Sequence, residues 1–416
     1  MITVTTVGAS SVRRSVLTMR LLMVCGLGAL ALAACTTDST NGVPDMAEAF
    51  ATRDSAGHTI AETTAPAWSG DAPWRLGGEP VLRIGSVEGD PASEFTQIRG
   101  VFLLADRGVA VADFGSQEVR YFDGDGRHVA TAGGRGSGPG EFTRLRAVIR
   151  GRGDTLVVHD PAIDRYTVLD GRGAVVRMVE DQRLLAAIFA DRWVAERRLP
   201  GRPPDALGTI LRDTVALVAF EPGAAEEDTL GLHPADLTFY AEATMGGNTR
   251  RSVFPVPYAP ALAVQGNGQE VVVSRGRAFE LMVYRSGTAP LYVRRPGTPT
   301  PITAAHRAAF MNFQFGPGVA AGYIGDVYAE APFPDNAGTF DRVIVPPDGP
   351  IWARHYVLPG QEERTWSIFA TSGMWLGEVS TPGELEVMDV AYGRLAGVRR
   401  NELDVSFVEV YEVQGW

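Results

Sequence analysis

Glu94-Phe95-Thr96-Gln97-Ile98-Arg99-Gly100-Val101-Phe102-Leu103-Leu104, followed by Val109-Ala110-Val111-Ala112-Asp113, returns 47 residues later as Glu141-Phe142-Thr143-Arg144-Leu145-Arg146-Ala147-Val148-Ile149, followed by Leu156-Val157-Val158-His159-Asp160. Asp123 and Gly126 recur as Asp170 and Gly173 at the same offset of 47. Each copy reads in the same order. A loop ends in Glu-Phe, and a strand follows (98–104; 145–149). A short β-branched strand then closes on Asp, and a third strand runs into an Asp/Gly turn (119–123; 166–170). A fourth strand completes the unit (128–132; 175–179). Four short strands per period, separated by turn residues, make one blade of a β-propeller.

Outward from these two copies the rhythm persists while the residues diverge. A third blade is expected over 184–232, a fourth over about 254–295 and a fifth over about 339–380. The last, over about 385–413, has only three strands. The segment Pro80-Val81-Leu82-Arg83-Ile84-Gly85 is a lone strand with no blade of its own, and it can supply the missing fourth. The expected fold is therefore all-β: a six-bladed β-propeller of four-stranded antiparallel blades, closed by an N-terminal strand in the last blade, which leaves no free radial edge. Three insertions interrupt it, at 200–213, 231–253 and 296–338. The last contains an expected helix, Thr303–Phe315, with Thr303 as its N-cap and Phe310, Met311, Phe313 and Phe315 as an aromatic end.

The beginning of the chain has a different character. Arg13, Arg14 and Arg20 precede an apolar run, 21–32, and no acid occurs before Asp38. The run is shorter than the ~20 apolar residues of a membrane span. It ends in Leu32-Ala33-Ala34-Cys35, so residues 1–34 read as a signal peptide. Residues 35–52 read as a flexible tether, and 53–416 as the propeller. The chain has two cysteines, Cys25 in the signal segment and Cys35. The exported domain accordingly has no thiol for a disulfide, a nucleophile or a zinc-thiolate site. All 38 basic residues are Arg, which removes Schiff-base and P-loop lysines. Loss of the three leader arginines takes the net charge from -11 to -14, and a nucleic-acid partner is not expected.

Two resemblances rest on these residues. Leu32-Ala33-Ala34-Cys35 resembles the lipobox of bacterial lipoproteins, which implies acylation of the Cys35 thiol and a membrane anchor. Thr36, rather than Asp, follows the Cys and favours the outer membrane, facing the periplasm or the cell surface. Gly136-Ser137-Gly138-Pro139-Gly140-Glu141-Phe142 resembles the loop that leads into a blade of NHL-type propellers. Asp54-Ser55-Ala56-Gly57, Trp74-Arg75-Leu76, Trp366 with Trp375-Leu376-Gly377, and Asn401-Glu402-Leu403-Asp404-Val405 are similar to bacterial six-bladed propeller lipoproteins of that kind. The first loop, 85–94, departs from the pattern because it lacks the Gly-Pro-Gly string. The resemblance implies fold and supplies no catalytic residue. NHL-like and related propellers also include metal-assisted lyases and lactonases with a site in the central channel.

Motifs for chemistry are sparse. The glycine string 133–140 leads into Glu-Phe and a strand rather than a helix, so it reads as a turn and not a phosphate loop. Asp123-Gly124-Asp125-Gly126 lacks the further acids of a calcium loop. The six histidines are scattered, and neither a metal nor a cofactor is expected. One constellation stands out. Aligned second strands end on Asp113, Asp160, Glu196 or Arg197, Arg275, His355 and Arg399. These ends should ring the channel mouth, on the face that carries the insertions. Arg275, His355 and Arg399 would then orient an anionic group, with Asp113 and Asp160 opposite. Polar strand ends that merely meet water are the competing explanation. The expected function is recognition of a protein or glycan by a lipid-anchored, non-catalytic propeller. A metal-assisted lyase or lactonase and an accessory subunit of an outer-membrane assembly are the alternatives.

Overall fold

The computed structural model describes residues 49–68, 73–86, 90–190, 192–199, 201, 206–245, 247–316 and 323–416. Cys35, the signal segment and most of the expected tether lie outside them. Among the described residues no helix is long and apolar enough to cross a membrane.

The chain is nearly all β. The first copy of the repeat forms a four-stranded antiparallel sheet, 98–103, 109–113, 118–122 and 128–133, and the second forms 147–150, 156–160, 165–169 and 175–180. Four-stranded sheets follow at 185–234 and 340–382. Within a sheet, burial depends on strand position. The second strands Val109–Asp113 and Leu156–Asp160 are buried at every residue, whereas the fourth strand Val175–Glu180 is exposed at nearly all. Val-Ala-Val-Ala suits a strand covered on both faces, because small and β-branched side chains pack closely against neighbouring sheets.

The apolar clusters show which sheets are neighbours. One cluster joins the first sheet to the second through Tyr121, Phe142 and Leu156, and another joins the second to the third through Tyr166 and Trp193. The third packs on the sheet at 263–294 through Leu217 and Tyr284, and that sheet packs on 340–382 through Val293 and Phe369. Trp366 and Leu395 join 340–382 to the final sheet, 386–414, which returns to the first sheet through Val408 and Val111. A buried ion pair ties the second sheet to the final one across this junction. Arg150 reaches Asp389, and Asp389 Oδ2 accepts the Leu103 N–H at 2.8 Å.

The lone strand is Leu82–Ile84, and it pairs antiparallel with Val408–Val410 at the outer edge of the final sheet. Arg75-Leu76 pairs with Val413 and Gln414 farther along the same strand. Ile84 is buried there, but Val81 is 53% exposed and contributes little.

Three expectations need correction. Gly231–Pro234, assigned to an insertion, belongs to the fourth strand Glu227–Pro234 of the third sheet. The expected tether 35–52 ends early, because residues from Phe50 form the strand Phe50–Ser55, and Phe50 packs on a core. That strand hairpins with His58–Thr63, which adds in parallel to Leu291–Arg294, so the sheet expected over 254–295 has six strands rather than four. Residues 254 and 255 belong instead to an insertion hairpin.

Candidate functional site

The Asp residues that mark the repeat hold the backbone. Asp113 Oδ1 accepts the Gln97 and Gly115 N–H groups at 2.7 and 3.0 Å, and Oδ2 accepts that of Thr96 at 3.0 Å. Asp160 accepts Thr143 and Ala162 in the same way. Both carboxylates are buried at strand ends, where they pin the loop leading into their own sheet. The glycine string is a turn: Gly133 and Gly134 have φ of 102° and 109°, and a Cβ on Gly133 would lie 2.6 Å from the Phe142 ring. Its Gly138 amide donates to Glu141 Oε2 at 2.9 Å, so the loop is closed by its own side chain. In the Asp123 turn, Asp123 Oδ1 accepts the Asp125 and Arg127 amides.

Arg275, His355 and Arg399 lie at the ends of three different second strands, or just beyond them, and each is engaged locally. Arg275 pairs with Glu280, which also holds Arg294. Arg399 donates to Glu409, Glu384 and Tyr411. His355 Nε2 lies 2.8 Å from Arg295 Nη2 and from Ser367 Oγ. Because a guanidinium can only donate, Nε2 must be the unprotonated nitrogen. Burial and the adjacent Arg295 hold this imidazole down at about 3. Glu378, 3.5 Å away, would raise it, but Arg295 takes that carboxylate at 3.0 Å. No contact joins these three groups to one another. A cavity of about 300 Å³ does open beside Arg275 and Arg277.

The insertions meet elsewhere. Thr238–Met245 and Asn248–Pro255 form a hairpin, and Ile210-Leu211 from the 200–213 insertion adds to it as a third strand. Helix α1 (Ala304–Phe315) is capped by Thr303 as its sequence implies: Thr303 Oγ1 accepts the His306 amide, and His306 Nδ1 accepts the Thr303 amide. Helix α2 (Tyr323–Ala329) follows. Phe239, Val256, Tyr258, Phe310, Val327 and Tyr328 form one apolar core between these pieces. Phe313, on the aromatic end of helix α1, is 41% exposed.

That core is not filled. A cleft of about 400 Å³ opens among Phe254, Tyr258, Phe310, Phe315, Tyr328 and Tyr356. Among the described residues, Asp236 and Gln314 are the polar side chains on its lining other than the tyrosines, and no basic side chain lines it. Tyr258 has φ of 56°, a conformation costly for a bulky residue. It is held there by the Gly338 amide on its carbonyl at 3.1 Å and by its own hydroxyl, which donates to the His306 carbonyl at 2.8 Å. A Cβ on Gly338 would lie 2.7 Å from the Tyr356 ring, so glycine is what lets Tyr356 reach the cleft. Burial pushes the Tyr258 hydroxyl up to about 12 and raises those of Tyr328 and Tyr356 as well. All three are therefore neutral donors at ordinary pH.

Sequence reasoning found the helix and the insertions but not the cleft. Its clearest local trace is Pro255-Val256-Pro257-Tyr258-Ala259-Pro260, a stiff segment that supplies one wall. A larger groove of about 730 Å³ lies beside Trp74 and the turn 346–350, but its Glu270 and Arg285 neutralise one another at 2.7 Å. Among the described residues no group of three or more His, Cys, Asp and Glu side chains is disposed to hold a metal ion.

No family model and no curated protein matches this sequence. Solved structures give remote likenesses. A Bacteroides fragilis protein, named as a candidate exported protein, is 12% identical with a TM-score of 0.45, over 85% of this chain and 98% of its own. A member of the DUF4221 family from Bacteroides vulgatus is 9% identical with a TM-score of 0.44, over 82% and 98%. Regucalcin from Agrobacterium tumefaciens, a calcium-binding protein, is 13% identical with a TM-score of 0.31, over 82% and 96%. At such scores the likenesses carry nothing about the site. The sheets themselves make the fold propeller-like.

Proposed function

We propose that this chain is a membrane-tethered recognition protein: a six-bladed propeller, closed by Leu82–Ile84 and anchored through an acylated Cys35 outside the cytoplasmic membrane, which binds its ligand non-catalytically in the aromatic cleft. The observation that carries the binding role is the joining of three insertions. The hairpin 238–255, extended at its edge by Ile210-Leu211, and the segment 302–337 are far apart in sequence, yet the hairpin and that segment share one core. That core leaves an open cleft. Loops on a rigid scaffold are where binding residues concentrate, and a cavity of a few hundred Å³ with few polar groups is the usual form of an organic-ligand site. The ligand is a small molecule or the side chain of a protein or glycan partner, with an apolar or aromatic body.

The test is a titration of the full-length acylated protein in a non-ionic detergent with 4-fluorophenol, a neutral aromatic probe, followed by its ¹⁹F signal. Saturable broadening is expected with the wild type, and its loss with Phe315→Asp. Phe315 is 37% exposed, so this change alters the cleft without opening the buried core. Broadening that is unaffected by Phe315→Asp places binding elsewhere and removes the cleft from the account.

A further inference from the structure

The cleft has an electrostatic sign as well as a shape. Aromatic faces carry negative quadrupole potential, and six aromatic side chains line a single space here. Asp236 lies on the lining and is exposed. One of its oxygens accepts the Leu262 amide at 2.7 Å, and among the described residues no cation pairs with it. Asp236 is also felt nearby. After burial, it is the cause that holds the Glu196 carboxyl above its usual range, against the opposing Arg198. Asp341 and Asp236 both add to the burial that keeps the Tyr356 hydroxyl protonated. Asp341 is itself paired with Arg354 at 2.8 Å, which leaves Asp236 as the unneutralised carboxylate at the lining. Arg275 and Arg399, by contrast, each meet an acid of their own.

Resting on the reading of the cleft as the ligand site, we propose that it selects an organic cation, an ammonium or quaternary ammonium group with apolar substituents, held by the aromatic rings and the Asp236 carboxylate. A quaternary ammonium needs no hydrogen bonds, gains from ring faces within about 6 Å, and is attracted by a carboxylate that stays wet at the rim. An anion would meet the Asp236 carboxylate and, among the described lining residues, no cation.

The experiment compares three probes of nearly one shape on the full-length protein in non-ionic detergent: choline, its neutral isostere 3,3-dimethyl-1-butanol, and the anion 3,3-dimethylbutanoate. Choline is expected to bind about tenfold more tightly than the alcohol, the butanoate not at all, and the choline preference to weaken as salt is added. Asp236→Asn keeps the oxygen that accepts the Leu262 amide and is expected to weaken choline about three- to tenfold while leaving the alcohol unchanged. Equal binding of choline and the alcohol, or an Asp236→Asn variant that retains the full preference, overturns the cation reading and leaves the apolar cleft standing. Failure of all three probes and of 4-fluorophenol, with the thermal transition intact, overturns both.

Discussion

The repeated sheets and the insertion core are built from similar residues and use them in opposite ways. In the sheets at 98–133 and 147–180, polar groups turn inward to finish the backbone: Asp113 and Asp160 cap the loops, and Arg150 and Asp389 lock the inner strands. Little is left over to act on a ligand. In the insertion core the aromatic side chains stop short of closing, Tyr258 is held at a strained φ, and Asp236 has no cation partner among the described residues. The contrast is that the most conspicuous charges in this chain are engaged with one another, whereas the packing is left incomplete in the insertion core, where the proposed binding is placed.

The comparison breaks first if the sheets do not carry the stability. Deletion of residues 75–85 removes the strand paired with Val408–Val410 and the buried Ile84 side chain. Each fully buried aliphatic is worth about 1.5–3 kcal/mol, before the lost backbone pairing and the opened edge are added. Against a typical net stability of about 5–15 kcal/mol, the deletion should abolish cooperative thermal unfolding at ordinary temperature. A melting temperature within a few degrees of the wild type would show that Leu82–Ile84 is an accessory edge and not a closure.

The anchor gives an effect that is nearly all-or-none. Cys35→Ala should move the protein from the membrane pellet to the soluble fraction on cell fractionation, because no other acylation site is expected. Pelleting of that variant with the membranes would remove the lipid anchor from the account.

A smaller effect comes from protons. Burial holds His233 at about 4 and His355 at about 3, both below the ordinary 6.5. The unfolded chain takes up these protons as pH falls below 6.5, while the folded chain resists until about 4 and 3. Their contribution to stability is thus complete above 6.5 and is lost progressively on acidification through that window. The melting temperature should fall between pH 7 and pH 4, and His355→Asn should flatten the slope. An equally steep slope in that variant would show that His355 does not titrate between the two states.

The smallest effect is expected at the charged rim. Arg275 and Arg399 are 32% and 27% exposed, so their ion pairs should each contribute about 1 kcal/mol or less. The double Arg275→Ala, Arg399→Ala variant should melt slightly lower and bind 4-fluorophenol and choline unchanged. A large loss of affinity with the fold intact would restore the rim as the ligand site.

Much of the scaffold is legible in the sequence because its signals are local and repeated. The offset of 47 residues locates the first two sheets, the missing fourth strand of 386–414 points to Leu82–Ile84, and Thr303 marks a helix start. What escapes is non-local. The parallel docking of His58–Thr63 on Leu291–Arg294 leaves no alternation or turn signal of its own. The partners of Arg275 and Arg399 are met only once Glu280 and Glu409 are seen across from them on neighbouring strands. The cleft needs Phe254 and Tyr258, Phe310 and Tyr328, and Tyr356 to converge from three separate stretches of chain, which composition does not reveal.

The central claim, that binding belongs to a separable insertion core on a stable scaffold, is tested most directly by replacing 238–255 with a short Gly-Ser linker. The flanking residues are already joined, because the Val256 amide donates to the Leu237 carbonyl at 2.9 Å, so a linker can bridge them without pulling on the sheets. The replacement removes Phe239 and Phe254 from the core and one wall from the cleft. The variant should unfold cooperatively near the wild-type temperature and bind neither 4-fluorophenol nor choline. Binding at wild-type affinity, or collapse of the whole domain, would contradict the account.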